Sequence, residues 1–146
     1  MSSDGEAKSS DRLIRRLLNK RKPKAREYMD DPTKLGDFIS QVGKKVDERA
    51  GNRGPLEEVW DYLTLLPRLI RAYLRREYTE VPVKSVVLII AALIYLVNPF
   101  DLVPDVIPAG GYIDDAAVIA FVIRQVKIEL DKFRAWETVR NTTVQV

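Results

Sequence analysis

Apolar residues recur at helical spacing through most of this chain. Leu13, Ile14, Leu17 and Leu18 fall on one face of a short helix that Ser10 and Asp11 can cap. Leu35, Phe38, Ile39, Val42 and Val46 keep the i, i+3, i+4, i+7, i+11 order of a second helix. Asp31 stands at its N-cap position and Pro32 at its first helical position, and Gly51-Asn52-Arg53-Gly54-Pro55 ends it in a loop. A third helix is expected from near Pro55, with Leu56, Val59, Trp60, Leu63, Leu66, Leu69, Ile70, Tyr73 and Leu74 in one stripe. Pro67 lies inside that stripe and predicts a kink or a break.

The pattern changes after Pro82. Val83 to Val97 carries only Lys84 and Ser85 as polar residues, and Asn98-Pro99 stops this helix. A turn rich in proline, glycine and aspartate follows as far as Tyr112. The last helix opens at Ile113-Asp114-Asp115 and is apolar from Ala116 to Ile123. It becomes amphipathic after Arg124, with Val126, Ile128, Leu130, Phe133 and Trp136 as candidate buried positions. No strand pattern of useful length and no internal repeat interrupts this order. The chain reads as all-α, a small helical bundle of about five helices with a central apolar helical hairpin. Its expected organisation is a disordered tail at 1–9, a basic amphipathic segment at 10–30, two amphipathic helices across 31–78, an apolar hairpin domain at 79–140 and a loose tail at 141–146. The first residues contain no apolar run of the kind a secretory signal carries.

Composition narrows the chemistry. The 146 residues include no cysteine and no histidine. That removes disulfides, thiolate metal sites, Cys and Ser-His nucleophile systems and the commonest general base near neutral pH. The expectation is a protein that is not an enzyme, without a resident cofactor. The net charge of +3 is modest, but its distribution is uneven. No acid falls between Arg12 and Arg26, a stretch holding Arg12, Arg15, Arg16, Lys20, Arg21, Lys22, Lys24 and Arg26. A second basic group, Arg68, Arg71, Arg75 and Arg76, ends the third helix, whose start carries Glu57, Glu58 and Asp61 in keeping with the helix macrodipole. Both basic groups are candidate membrane-surface residues, because each Lys or Arg near an anionic leaflet contributes about 1 kcal/mol. A solvated basic arm is the plain alternative. Nucleic acid is disfavoured as a partner, since no aromatic residue sits among the charges of the first group to stack on a base.

The hairpin bears on membrane contact in two ways. Its uninterrupted apolar runs, Val86 to Val97 and Ala116 to Ile123, hold 12 and 8 residues. A spanning helix needs about 20. Yet no Lys or Arg occurs from Ser85 to Ile123 while basic residues flank both sides, the asymmetry expected of a hairpin whose turn points away from the cytoplasm. A shallow or re-entrant hairpin satisfies both facts, and so does the core of a soluble bundle. In the turn, Asp101, Asp105, Asp114 and Asp115 are expected to be helix caps. Their alternative role is an oxygen site for Mg²⁺ or Ca²⁺ in a soluble bundle, with catalysis there as a further step. The spacing is not that of an EF-hand loop, and Gly110-Gly111 is not a phosphate-binding loop.

The string Asn98-Pro99-Phe100-Asp101-Leu102-Val103-Pro104-Asp105-Val106-Ile107-Pro108, followed by Gly111-Tyr112-Ile113-Asp114-Asp115, resembles the signature of the YkvA-like family, a mainly bacterial domain of unknown function. The likeness covers Val81 to Trp136, well under half the chain. It implies a small helical-hairpin domain, and it tilts the balance toward membrane association because members are often assigned to membranes. It transfers no activity and no catalytic residue. The combined expectation is a non-enzymatic membrane-associated protein at the cytoplasmic side of the cytoplasmic membrane, with the cytoplasm as alternative location. Membrane lipid is the expected partner, a homo-oligomer is admitted, and no protein partner is indicated.

Overall fold

The computed structural model describes the backbone of residues 2–50, 57–97 and 115–145, and the side chains of 11–46, 61–97 and 117–141. Five helices account for nearly all of it: α1 Ser2–Met29, α2 Pro32–Ala50, α3 Glu57–Leu74, α4 Val83–Val97 and α5 Asp115–Gln145. No strand occurs among the described residues.

Local chemistry sets several of the boundaries. The Asp31 carboxylate accepts the Lys34 amide at 3.2 Å and the Asp31 carbonyl takes the Leu35 amide at 2.9 Å, so Asp31 caps α2 with Pro32 next to it. The Pro82 carbonyl accepts the amides of Ser85 and Val86 to begin α4. The end of α3 is a Schellman motif. The Glu77 amide reaches back to the Ala72 carbonyl at 3.0 Å and the Arg76 amide to the Tyr73 carbonyl at 3.1 Å. Arg76 occupies its left-handed position at φ 58°, where glycine is the usual residue.

Several expectations are corrected. The helix α1 begins at Ser2 and α5 continues to Gln145, so the described residues of the two segments expected as loose tails, 2–9 and 141–145, are helical. Adding a residue to an existing helix gains a hydrogen bond without a new nucleus, which lets polar residues extend a packed helix. Asp11 is therefore inside α1 rather than at its cap, and its carboxylate lies 3.4 Å from Arg124. Proline breaks neither α1 at Pro23 nor α3 at Pro67. Each deprives the carbonyl four residues back of its donor while the helix continues through it. The one non-helical residue within α5 is Val126, at φ −115° and ψ 18°, two residues after the pattern changes at Arg124.

The core follows the sequence stripes. Ile14, Leu17 and Leu18 from α1 are buried with Leu35, Ile39, Val42 and Val46 from α2 and Leu63, Leu66, Leu69 and Ile70 from α3. From Ser85 to Leu96, every residue of α4 except half-buried Leu88 is buried. Helix α4 packs most extensively on α1 and also touches α5, α3 and α2. In α5, Val126, Leu130 and Phe133 are buried and Trp136 is partly buried, but Ile128 is 70% exposed. Val126, Leu130 and Phe133 keep an i, i+4, i+7 spacing, and Ile128 falls on the opposite side of that helix.

Polar contacts give the helix directions. Ser85, at the start of α4, donates to Glu129 in mid-α5 at 3.4 Å, and Tyr78, earlier in the chain, packs on Trp136, later in α5, so α4 runs antiparallel to α5 as expected of the hairpin. Tyr62 donates to Asp131 at 2.9 Å and Arg68 to Glu137 at 3.1 Å, with the same sequence separation in both pairs, so α3 and α5 run parallel. No helix is long and apolar enough to cross a membrane among the described residues.

Candidate functional site

Helix α1 buries one stripe, Ile14, Leu17, Leu18, Arg21 and Ala25. The rest of its surface between Asp11 and Glu27 is basic. Arg12, Arg15, Arg16, Lys20, Lys24 and Arg26 are exposed and Lys22 is half-buried, with only Asn19 and Pro23 as uncharged exposed positions. Lys24 also lies 3.4 Å from Glu27, where the acid-free stretch ends. This strip forms because the apolar residues recur every three or four positions and leave the opposite arc to solvent.

Arg21 departs from the expected membrane-surface set. It is 6% exposed, its guanidinium sits 5.2 Å from the centre of the Tyr95 ring, and one of its nitrogens donates to the Leu17 carbonyl at 3.4 Å. The reason is its register, four residues after Leu17 and three after Leu18, which places it on the apolar stripe. The arginine stem is long enough to fill that space while the guanidinium lies on an aromatic face.

The structure separates the two expected basic groups. Arg68 and Arg71 line a cavity of about 340 Å³ between α2 and α3, together with Ser40, Gly43, Lys44 and Thr64. Arg68 also pairs with Glu137, and Arg75 lies 3.9 Å from Glu77, which pairs with Arg140 as well. Arg76 is exposed in the chain reversal. By contrast, Arg15 and Lys22 of α1 line a second cleft, of about 150 Å³, with Leu18, Asn19, Lys84, Leu88, Phe121 and Gln125. The α1 strip and the α3 arginines therefore border two separate clefts.

The second cleft has a defined construction. The buried Phe121 ring forms part of its floor, with the Arg15 guanidinium 5.1 Å from the ring centre and that of Arg124 at 5.9 Å. Arg124 is held in turn by Asp11. Three cations and two amides line the cleft without a carboxylate among them. The periodicity of α1 and the hairpin motif each contain part of this set. Only the packing of α1 across α4 and α5 assembles it, which is why the sequence did not reveal it.

Asp101, Asp105 and Asp114, the expected caps or cation ligands, lie outside the described residues, and Asp115 enters as the first residue of α5. Among the described residues, no group of three or more carboxylates is placed to hold a metal ion.

Residues 85–121, from the buried part of α4 into α5, match the family described as "Protein of unknown function (DUF1232)". The chain is also 36% identical over 99 residues to the "Uncharacterized membrane protein YkvA" of Bacillus subtilis (strain 168), an alignment covering 68% of this chain and 91% of the relative. The chain belongs to the YkvA-like family. No solved structure matches it. The family relationship extends beyond the Val81–Trp136 segment that carries the motif, since the alignment takes in about two-thirds of the chain. Nearly the whole length of the Bacillus subtilis YkvA thus has a counterpart here.

Proposed function

We propose that this YkvA-like protein is a non-enzymatic, peripheral membrane protein that lies with α1 against the anionic cytoplasmic leaflet. The observation that carries the reading is the exposed, acid-free strip of Arg12, Arg15, Arg16, Lys20, Lys24 and Arg26 along one helix. At about 1 kcal/mol per residue, six such cations supply on the order of 6 kcal/mol, a dissociation constant of tens of micromolar. The description of the Bacillus subtilis relative as a membrane protein points the same way.

The enclosure of α4 favours surface attachment over a re-entrant hairpin. Its apolar residues already face α1, α2, α3 and α5, so entry into lipid would first require exposing their partners. The test is co-sedimentation with phosphatidylglycerol-containing vesicles at low and high salt, against phosphatidylcholine alone. Binding is expected only to the anionic vesicles, falling with salt, and falling again in the Arg12→Glu/Arg16→Glu/Lys20→Glu variant. Failure to bind anionic vesicles at low ionic strength defeats the reading.

A further inference from the structure

We infer that the cleft between α1, α4 and α5 is a binding site for the phosphate headgroup of an anionic phospholipid. Arg15 and Lys22 reach it from α1 and Lys84 from the start of α4. Like charges brought together repel, and an anion among them relieves that repulsion and accepts charge-assisted hydrogen bonds. Asn19 and Gln125 add amide donors for the remaining headgroup oxygens. The nearby carboxylates are already engaged: Asp11 with Arg124 and Glu129 with Ser85.

The floor argues for an amphiphile rather than a bare ion. Leu18, Leu88 and Phe121 give the cleft an apolar base beneath its cationic lining. Its volume of about 150 Å³ exceeds what single waters need yet falls below the roughly 300 Å³ at which drug-sized ligand pockets begin. A phosphate with its first glycerol carbons fits that space, and acyl chains do not. Val83, next in sequence to Lys84, is 58% exposed and offers an apolar contact at this end of the bundle.

The inference rests on the membrane reading for the source of its ligand but adds a discrete site to a diffuse electrostatic surface, so the two can fail separately. The probe is dihexanoyl-phosphatidylglycerol below its micelle concentration, followed by amide chemical shifts of the full chain. Saturable shifts are expected at Leu18, Lys22, Leu88 and Gln125. The Lys22→Gln/Lys84→Gln variant should weaken binding about tenfold or more, while Arg12→Gln/Arg16→Gln, outside the cleft, leaves it unchanged. Equal weakening by both variants, or shifts that never saturate, overturns the site. Equal affinity for dihexanoyl-phosphatidylcholine removes the selectivity for anionic lipid, and equal affinity for inorganic phosphate makes the ligand free phosphate instead. Loss of vesicle binding in Arg12→Gln/Arg16→Gln with intact short-chain binding supports both the site and the surface. Vesicle binding that survives while short-chain binding is absent overturns the site alone.

Discussion

Replacing Tyr78 by phenylalanine should stabilise the protein. Tyr78 is 5% exposed and packs against Phe133 and Trp136, with ring centres 5.3 and 5.2 Å away. Its hydroxyl is buried and has no hydrogen-bond partner among the described residues. Burying such a group unpaired costs about 1–3 kcal/mol, whereas phenylalanine keeps the ring contacts. A gain of about 1 kcal/mol is expected, or roughly 3 °C in Tm for a chain of this size. Alkaline pH provides an independent check. Burial, then the charges of Glu80 and Glu129, raise the phenol above its ordinary 10.0. The folded state therefore keeps this proton more tightly than the unfolded chain. That contribution is intact below pH 10 and is lost as pH rises from there through the folded value. Denaturant melts across this range should show the wild type losing stability more steeply than Tyr78→Phe. A variant about 1 kcal/mol less stable than wild type would show that the hydroxyl is paired after all. Parallel loss above pH 10 would show that it titrates as it does in the unfolded chain.

Arg76→Gly should raise stability by about 0.5–1 kcal/mol, because glycine adopts φ 58° without strain, and a chemical melt reads it directly. Asp31→Ala should cost about 1 kcal/mol in the same assay and Asp31→Asn only a few tenths, since asparagine caps as well. Arg21→Ala should lower stability by about 2 kcal/mol through lost packing and lost contact with Tyr95, whereas charge-neutral changes at exposed Arg12 or Arg16 should stay within about 0.5 kcal/mol. Ala91→Leu places a larger side chain at a fully buried site in α4 and should cost about 1–3 kcal/mol, a loss that a lipid-facing helix would not show.

Helix positions and the buried face of α2 were readable because Leu35 to Val46 obeys one period and Asp31-Pro32 supplies its start signal. Ile128 is apolar but stands two residues after Val126, so the helical period that buries Val126, Leu130 and Phe133 turns it to solvent. Arg21 is the converse case, a charged residue whose register, four after Leu17 and three after Leu18, puts it on the apolar stripe. The reversal at Arg76 gave no signal, because arginine is not the residue that position favours. The membrane question was hardest, since a helix that is apolar on all sides has the same sequence whether lipid or protein surrounds it. The α1–α4–α5 cleft could not be read at all, because Arg15, Lys84 and Gln125 meet only through tertiary packing.

The enclosure of α4 has a consequence for the order of synthesis. By the time α4 is made, its main neighbour α1 already exists, with Ile14, Leu17 and Leu18 awaiting cover. α5, which completes the hairpin, comes last. For that interval the nascent chain carries a segment, apolar from Val86 to Val97, that either lipid or α1 can accept. At about 1.5 Å per residue, the 15 residues of α4 fall short of a hydrocarbon core of about 30 Å. The same shortness that disqualifies α4 as a span thus biases a growing chain toward closing on itself, and a longer α4 would turn a folding step into an insertion step.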